Sequence, residues 1–532
     1  MISTNDLYSI AQTVRLRAKE LGNDTVFHFE DTKTTFAEYH SLSSQTANGL
    51  LNEGIQATDR IAFLGKNSPV YFELIAAAAK IRAVVSPLNW RLAGPELGYV
   101  LNDSGAKLIF AAKEFHDVLM DIRSSLTISP KIFLIDGEVE GAQSYSVWQQ
   151  QFSDTDPGLD VSADDAILQL YTSGTTGRPK GAILTDRMML ALRGQEEGDV
   201  LQEWQRYSRG ETGLLAMPCF HVGGTAFGLS IIHSGAQVVI LAEYDPNQTL
   251  KLIEKYKIGK IFVVPSTLQM LLKDPQFDKT DFGNLKFIFY GASPIPMALM
   301  REATKKIGCG FVQMYGMTES GGTIVALSPE DHLPDSEDET DIQRMRSVGN
   351  AMLGVELKVI DQQGENLPNG EIGEIATRSV KNIKAYWNLP EATKTVIDDD
   401  GWLRTGDAGY LDDDGYLYIH DRVKDMIISG GENVYPAEVE DAVYSHPDVE
   451  DVAVIGVPDE KWGEAIKAFV VAKDNAEVSA DDIIRFARTR IAKFKCPKTI
   501  NFIDSLPRNP SGKILRRELR EPYWKDKKRA VN

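Results

Sequence analysis

Residues 171–181 read YTSGTTGRPKG, and the apolar run 166–170 (AILQL) leads into them. Three glycines, the hydroxyls of Thr172, Ser173, Thr175 and Thr176, and the cations Arg178 and Lys180 fall within one short loop. Glycines that reach φ > 0 let consecutive backbone N–H groups converge on a phosphate. The hydroxyls add donors and Lys180 adds charge, so the stretch reads as a polyphosphate grip hung from the end of a strand. The P-loop pattern G-x-x-x-x-G-K-[ST] does not fit. Lys180 follows no glycine, Gly181 stands at the Ser/Thr position, and GAIL (181–184) continues as a strand. The helix whose N-terminus a P-loop would use is expected only from about Asp186. A second Gly-Lys pair, Gly512-Lys513, is followed by Ile514 and fails as well. A loop of this composition alone would be ordinary mobile surface; its exact order, and the motifs downstream of it in the chain, decide otherwise.

Outward from the loop, alternation sets the fold class. RIAFLG (60–65), PVYFELIAAAAKIRA (69–83), VVSPLN (84–89), GPELGYVLNDSG (94–105) and KLIFAA (107–112) give a strand–helix rhythm, the pattern of sheets flanked by helices. KIGKIFVVP (257–265), LKFIFYGAS (285–293) and GCGFVQMYG (308–316) repeat it, each ending in a Gly- or Pro-bearing loop where such folds bind ligands. From about residue 346, short runs with Asp/Gly turns predict an antiparallel β subdomain. After 425 a separate small α+β pattern and a basic tail follow. The expected organisation is α/β: an N-terminal domain 1–420, a hinge 421–424 and a mobile C-terminal domain 425–532.

The 532 residues exceed what one core sustains, which agrees with several domains. A net charge of −19 argues against a nucleic-acid partner, which needs a basic face. Cys219, Cys309 and Cys496 are dispersed, which fits packing residues and a cytoplasmic protein rather than a disulfide scaffold or zinc site. The N-terminus predicts an amphipathic helix rather than a signal peptide, and no run of about 18 uncharged apolar residues predicts a membrane span.

YTSGTTGRPKGAILT resembles the signature of the adenylate-forming superfamily, and further regions arrive in that family's order. PCFHVGG (218–224) resembles its acyl-pocket segment, YGASPI (290–295) its adenine-side loop, and QMYGMTE (313–319) its Q-x-Y-G-x-T-E motif. GWLRTGD (401–407) resembles the ribose-binding T-G-D, DRVKDMIISGGENVYP (421–436) the hinge and following loop, and PRNPSGKILR (507–516) the C-terminal lysine motif. The resemblance spans essentially the whole chain and is greatest to bacterial medium- and long-chain fatty-acyl-CoA synthetases. It implies an AMP-forming ligase: a carboxylate attacks the α-phosphate of ATP, pyrophosphate leaves, and a thiol takes the acyl group.

Roles are implied residue by residue by that resemblance. Thr172, Ser173, Gly174, Thr175, Thr176, Gly177 and Lys180 hold the triphosphate, with Thr175 close to the chemistry. Glu319 is the Mg²⁺ ligand, a hard cation suited to a carboxylate oxygen. Gly291, Ala292, Ser293, Gln313, Tyr315, Gly316 and Thr318 bind ATP, with Tyr315 stacked on adenine and Gly291-Ala292 passing beneath it. Asp407 accepts the ribose hydroxyls and Arg422 reaches ribose or phosphate. Lys513 bridges the substrate carboxylate and the α-phosphate, offsetting the repulsion between two anions. His221, Val264, Gly291, Gly316 and Met317 border the acyl pocket, with Met217, Phe220, Phe227, Met270 and Met314 as further lining.

The resemblance also implies two conformations. Lys513 and the loop of Gly430, Gly431 and Glu432 belong to one small domain, and rotation about Lys424 lets lysine and CoA-binding loop take turns. KFKCPK (493–498) is a candidate for CoA phosphates or a plain charged face. No carrier segment follows the C-terminal motif, so the expected acceptor is CoA, with a free-standing carrier protein left open. YGASP supplies no acid for an α-amino group, which favours a fatty or aromatic acid, and a homodimer is compatible with the sequence. Aryl- or steroid-side-chain-acid ligases are the alternatives within the family, and a non-ligating nucleotide-binding scaffold the one outside it. Where the family usually has His after GAILT, this chain has Asp186.

Overall fold

Strand Arg60–Leu64 (RIAFL) is buried along its whole length, as a parallel strand covered on both faces must be. It is central to a seven-stranded sheet ordered Gln143–Ser144, Lys131–Leu134, Leu108–Ala111, Arg60–Leu64, Val84–Pro87, Ala166–Thr172, Lys180–Thr185. All neighbours run parallel except the last two, which form an antiparallel pair joined by the glycine-rich loop. The helices between strands carry their own punctuation. Pro69–Ile81 starts on a proline, Gly94–Ser104 ends on Gly105 at φ 65°, and Phe36–Asn52 opens with a Thr35/Glu38 capping box.

The computed structural model describes residues 9–172, 179–190, 201–422, 425–429, 432–459, 462–474, 476–508 and 514–525, with the backbone alone at 421, 422, 432 and 433. Its second sheet has nine strands, with Phe287–Gly291 and Gly310–Met317 parallel to Lys260–Val263, and Gly322–Leu327 returning antiparallel. One core cluster runs through both sheets. Helices Pro69–Ile81 and Val222–Ser234 meet within it: Tyr71 and Thr225 share a 2.7 Å hydrogen bond, and a Cβ on Gly228 would lie 2.4 Å from the Phe72 ring. Glycine at 228 is what lets the two helices close.

The predicted antiparallel subdomain is a four-stranded sheet, Glu356–Ile360, Gly373–Arg378, Leu403–Leu411, Leu417–Arg422. Beyond it lies the small C-terminal α+β unit, whose five-stranded sheet packs on helices Pro436–Tyr444 and Ala480–Ala487 over buried Ile427, Val439, Val454, Ile466 and Cys496. Gln269 donates to Tyr444 Oη at 3.1 Å, and Lys273 pairs with Glu450 at 2.6 Å, joining this unit to the helix Pro265–Lys273. The three cysteines are free. The N-terminal helix is Ile10–Leu21. Among the described residues no helix is long and apolar enough to cross a membrane.

Candidate functional site

Among the described residues, Thr172, Glu319, Tyr315 and Asp407 come together where the carboxyl ends of strands from both large sheets meet the four-stranded sheet. Thr172 ends its strand, and its Oγ1 donates to Glu319 Oε1 at 3.2 Å across 147 positions of sequence. Glu319 sits in the short turn Thr318–Ser320 after strand Gly310–Met317 and is 6% exposed. Ile383 N–H fastens that turn by donating to the Glu319 carbonyl at 2.8 Å. Within the same strand, Tyr315 Oη donates to Asp407 Oδ2 at 2.7 Å, so the predicted adenine and ribose residues are in contact. Asp407 is buried and lies opposite Arg422 in the antiparallel ladder. Tyr290 Oη donates to Gln313 Oε1 at 3.3 Å beside His332.

Backbone crowding explains two of the glycines. A Cβ on Gly291 would stand 2.1 Å from the Met314 carbonyl oxygen, and one on Gly316 would stand 2.0 Å from that of Gly322. Ala292 follows at φ 66°, a left-handed conformation that a residue with a Cβ adopts at a cost. Ser293 beside it is half-buried, and Met317 N–H donates to Ser320 Oγ at 3.1 Å.

A cavity of about 220 Å³ is lined by Met217, Phe262, Val264, Met270, Trp90 and Arg91 among others; of the residues expected to border the acyl pocket it takes in Val264, while His221, Gly291, Gly316 and Met317 are not in its lining. It opens just past the carboxyl ends of strands from both sheets, where ligands of such folds bind. His221 precedes helix Val222–Ser234; its ring lies 4.5 Å from Phe220, which in turn meets Trp90. Among the described residues, buried His221 Nε2 finds no hydrogen-bond partner. Burial, and secondarily Arg91, lower its pKa to about 4, so the ring is neutral at physiological pH. One acid reaches the cavity that the sequence reading did not foresee: Glu243, held by Lys66 at 3.2 Å and Arg91 at 3.5 Å.

Ser173, Gly174, Thr175, Thr176, Gly177, Lys424, Gly430, Gly431 and Lys513 lie outside the described residues, and of Arg422 and Glu432 only the backbone is described. Lys180 opens the returning strand Lys180–Thr185. Asp186, in place of the usual His, is buried at the start of helix Asp186–Leu190. Burial pushes its carboxyl up to about 8, while the Ile10 backbone N–H and Ser9 pull the other way. In KFKCPK, Lys495 pairs with Glu438 at 2.7 Å and Cys496 is core. Sequence reasoning missed Tyr386, whose hydroxyl donates to Glu319 Oε1 at 2.7 Å. Its only local signal is an aromatic pair, Tyr386-Trp387, ahead of the Asn388 turn at φ 53°.

Among the described residues the side-chain groups that meet the Glu319 carboxylate are the hydroxyls of Thr172 and Tyr386. One carboxylate beside a hydroxyl matches the way Mg²⁺ is held, by one or two carboxylates with substrate phosphates completing its shell. Among the described residues no three His, Cys, Asp or Glu side chains gather as a protein-only metal cage.

A family model for AMP-binding enzymes matches residues 14–387, and one for the C-terminal domain of AMP-binding enzymes matches residues 438–513. The chain belongs to the AMP-binding enzyme family. It is an AMP-forming acid–thiol ligase with ATP as a substrate. The fatty acid–[acyl-carrier-protein] ligase ScoC of Streptomyces coeruleorubidus is 40% identical over 99% of this chain and 98% of its own. The feruloyl-CoA synthase of an Amycolatopsis species is 36% identical over 95% and 97%. Among solved structures of this AMP-binding family, a Mycobacterium tuberculosis fatty acyl CoA synthetase has a TM-score of 0.75 at 34% identity, over 98% of this chain and 99% of that one.

Proposed function

We propose that this ligase activates a medium- or long-chain fatty acid with ATP, forming acyl-AMP and pyrophosphate, and then passes the acyl group to CoA. The observation that carries the adenylation half is the convergence of Thr172 on Glu319 and of Tyr315 on Asp407, where the carboxyl ends of strands Ala166–Thr172 and Gly310–Met317 meet the four-stranded sheet. The 172–180 loop holds the β- and γ-phosphates. Tyr315 stacks on adenine, and Asp407 accepts the ribose hydroxyls. Glu319 would hold Mg²⁺, which when bound would supply charge neutralisation on the phosphates. Lys513 approaches the carboxylate and the α-phosphate, so that two anions can meet. His221, neutral and with no partner for its Nε2 among the described residues, borders the acyl entrance.

Rotation of residues 425–532 about Lys424 then exchanges Lys513 for the Gly430–Glu432 loop, which admits pantetheine. The apolar lining from Met217, Phe262, Val264 and Met270 supports an aliphatic acid, as does similarity to ScoC and to the mycobacterial synthetase. ATP, CoA and reduced thiols are cytoplasmic, and the reading puts the enzyme there. A second reading has specific support: ScoC is named for a carrier-protein acceptor, so the acyl group would go to a protein-borne pantetheine. The feruloyl-CoA synthase supports an aromatic acid in the same way.

The test is acid-dependent release of AMP and pyrophosphate over C2–C18 and aromatic acids, with CoA or a phosphopantetheinylated carrier protein as acceptor. Expected is AMP release that peaks with fatty acids and yields acyl-CoA. ADP as product would refute adenylation. Adenylate formation with the carrier acylated and CoA ignored would move the assignment to the second reading.

A further inference from the structure

Tyr386 belongs to none of the motifs read from the sequence, yet its side chain touches two parts of the nucleotide site, Glu319 and Lys180. Its side chain is 5% exposed, and its hydroxyl donates to Glu319 Oε1, the oxygen that also accepts from Thr172. No described residue donates a hydrogen bond to Oε2. A carboxylate with one oxygen held by two hydroxyls keeps a single orientation and turns its other oxygen outward. Lys180 Nζ lies 5.1 Å from the centroid of the Tyr386 ring, within range of a cation–π contact.

The backbone around Tyr386 is fastened on the same two sides. Ala182 and Tyr386 form a β-bridge, Trp387 N–H donates to the Gly181 carbonyl at 2.7 Å, and Ile183 N–H donates to that of Ala385 at 3.3 Å. These bonds tie the segment to the strand beyond the glycine-rich loop. Ile383 N–H ties its other end to the Glu319 carbonyl. Trp387 is in turn fixed by the Arg60 guanidinium 3.4 Å over its ring and by its indole N–H on the Asp103 carbonyl.

We propose that Tyr386 is a positioning residue of the metal–phosphate site: its hydroxyl sets Glu319 with Oε2 toward the cation, and its ring seats Lys180 beside the same triphosphate. This rests on the reading of Glu319 as Mg²⁺ ligand and of 172–180 as phosphate grip. A buried tyrosine that merely fills space would support stability without touching metal dependence, and that difference is measurable.

Tyr386→Phe keeps the ring, its packing and the Lys180 contact, and removes only the hydroxyl. ATP binding to the full-length protein is followed by calorimetry across a Mg²⁺ titration, with acid-dependent AMP release measured in parallel. The Mg²⁺ concentration at half-maximal response is expected to rise about tenfold or more, the scale for losing a group that orients a metal ligand. ATP binding without Mg²⁺ and the thermal midpoint should stay near wild type. Glu319→Gln serves as the reference. If it shifts the Mg²⁺ midpoint and Tyr386→Phe does not, the tyrosine is packing and the proposal falls alone. If neither shifts it, the reading of Glu319 as ligand fails and takes the proposal with it. Thr172→Val removes the other donor from Oε1. Should Tyr386→Phe not fold, an unchanged Mg²⁺ midpoint in Thr172→Val overturns the orientation argument.

Discussion

Asp407→Asn preserves the shape of a side chain that is 7% exposed and removes its charge. In the structure this carboxylate accepts from the Tyr315 hydroxyl at 2.7 Å, and in the proposed site it also accepts from the ribose. An amide retains one acceptor oxygen and gains a donor, so the tyrosine contact can survive while at least one ribose hydrogen bond is lost. A hydrogen bond to an ionised group contributes about 1.5–3 kcal/mol. The loss predicts a rise in KM for ATP of roughly 10- to 100-fold. Because the ribose lies away from the reacting atoms, kcat should change far less than KM. The assay is acid-dependent AMP release with ATP and with 2′,3′-dideoxy-ATP. The wild type should discriminate against the dideoxy nucleotide by about the same factor, and Asp407→Asn should lose most of that discrimination. A folded variant that raises KM but keeps the full preference for ATP would show that Asp407 does not hold the ribose.

Two more outcomes are expected from other parts of the chain. Lys513→Ala should lower adenylation by roughly 10²–10³, the scale for one transition-state donor, while thioester formation from supplied acyl-adenylate survives; equal loss in both half-reactions would contradict the assigned role. Asp186 predicts a pH effect with a definite sign. Its carboxyl rises from 3.8 unfolded to about 8 folded, so between those values the folded state keeps a proton that the unfolded state has released. Stability is lost as pH climbs through that window, by up to about 1.4 kcal/mol per unit. Asp186→Asn should therefore melt above wild type by a margin that widens from pH 5 to pH 8, and melting curves that run parallel across this range would rule out a buried neutral acid.

Much of the fold was legible because its strands announce themselves locally. RIAFL, KIFV and FIFYG are apolar, β-rich and closed by Gly or Pro, and each is a buried parallel strand ending at the site. The return of GAIL as a strand was readable for the same reason, and it excluded a P-loop. Tyr315 and Asp407 were legible as members of motifs, but their contact was not, since 92 positions separate them and only the sheet arrangement joins them. Glu243 escaped notice because its charge lies beyond a strand end with no pattern around it, and its partners Lys66 and Arg91 come from the other sheet. Tyr386 was hidden more deeply. Its side-chain partners, residues 180 and 319, are gathered by a β-bridge and a backbone hydrogen bond, which leave no trace in side-chain spacing.

The kind of donor chosen for Glu319 carries its own argument. Among the described residues neither Glu319 nor Lys180 enters an ion pair, although both lie against Tyr386. A lysine bonded directly to that carboxylate would neutralise it and weaken its hold on any cation, and would spend the lysine's own charge at the same time. Hydroxyl donors from Thr172 and Tyr386 satisfy one oxygen without cancelling the charge. The aromatic face attracts Lys180 through its quadrupole, so the lysine is held without a carboxylate partner. In the proposed site the anion is thereby kept for a metal and the cation for a phosphate. A substitution that removed the ring altogether, such as Tyr386→Ala, would let Lys180 collapse onto Glu319 and disable both functions by a new attraction rather than by a lost one.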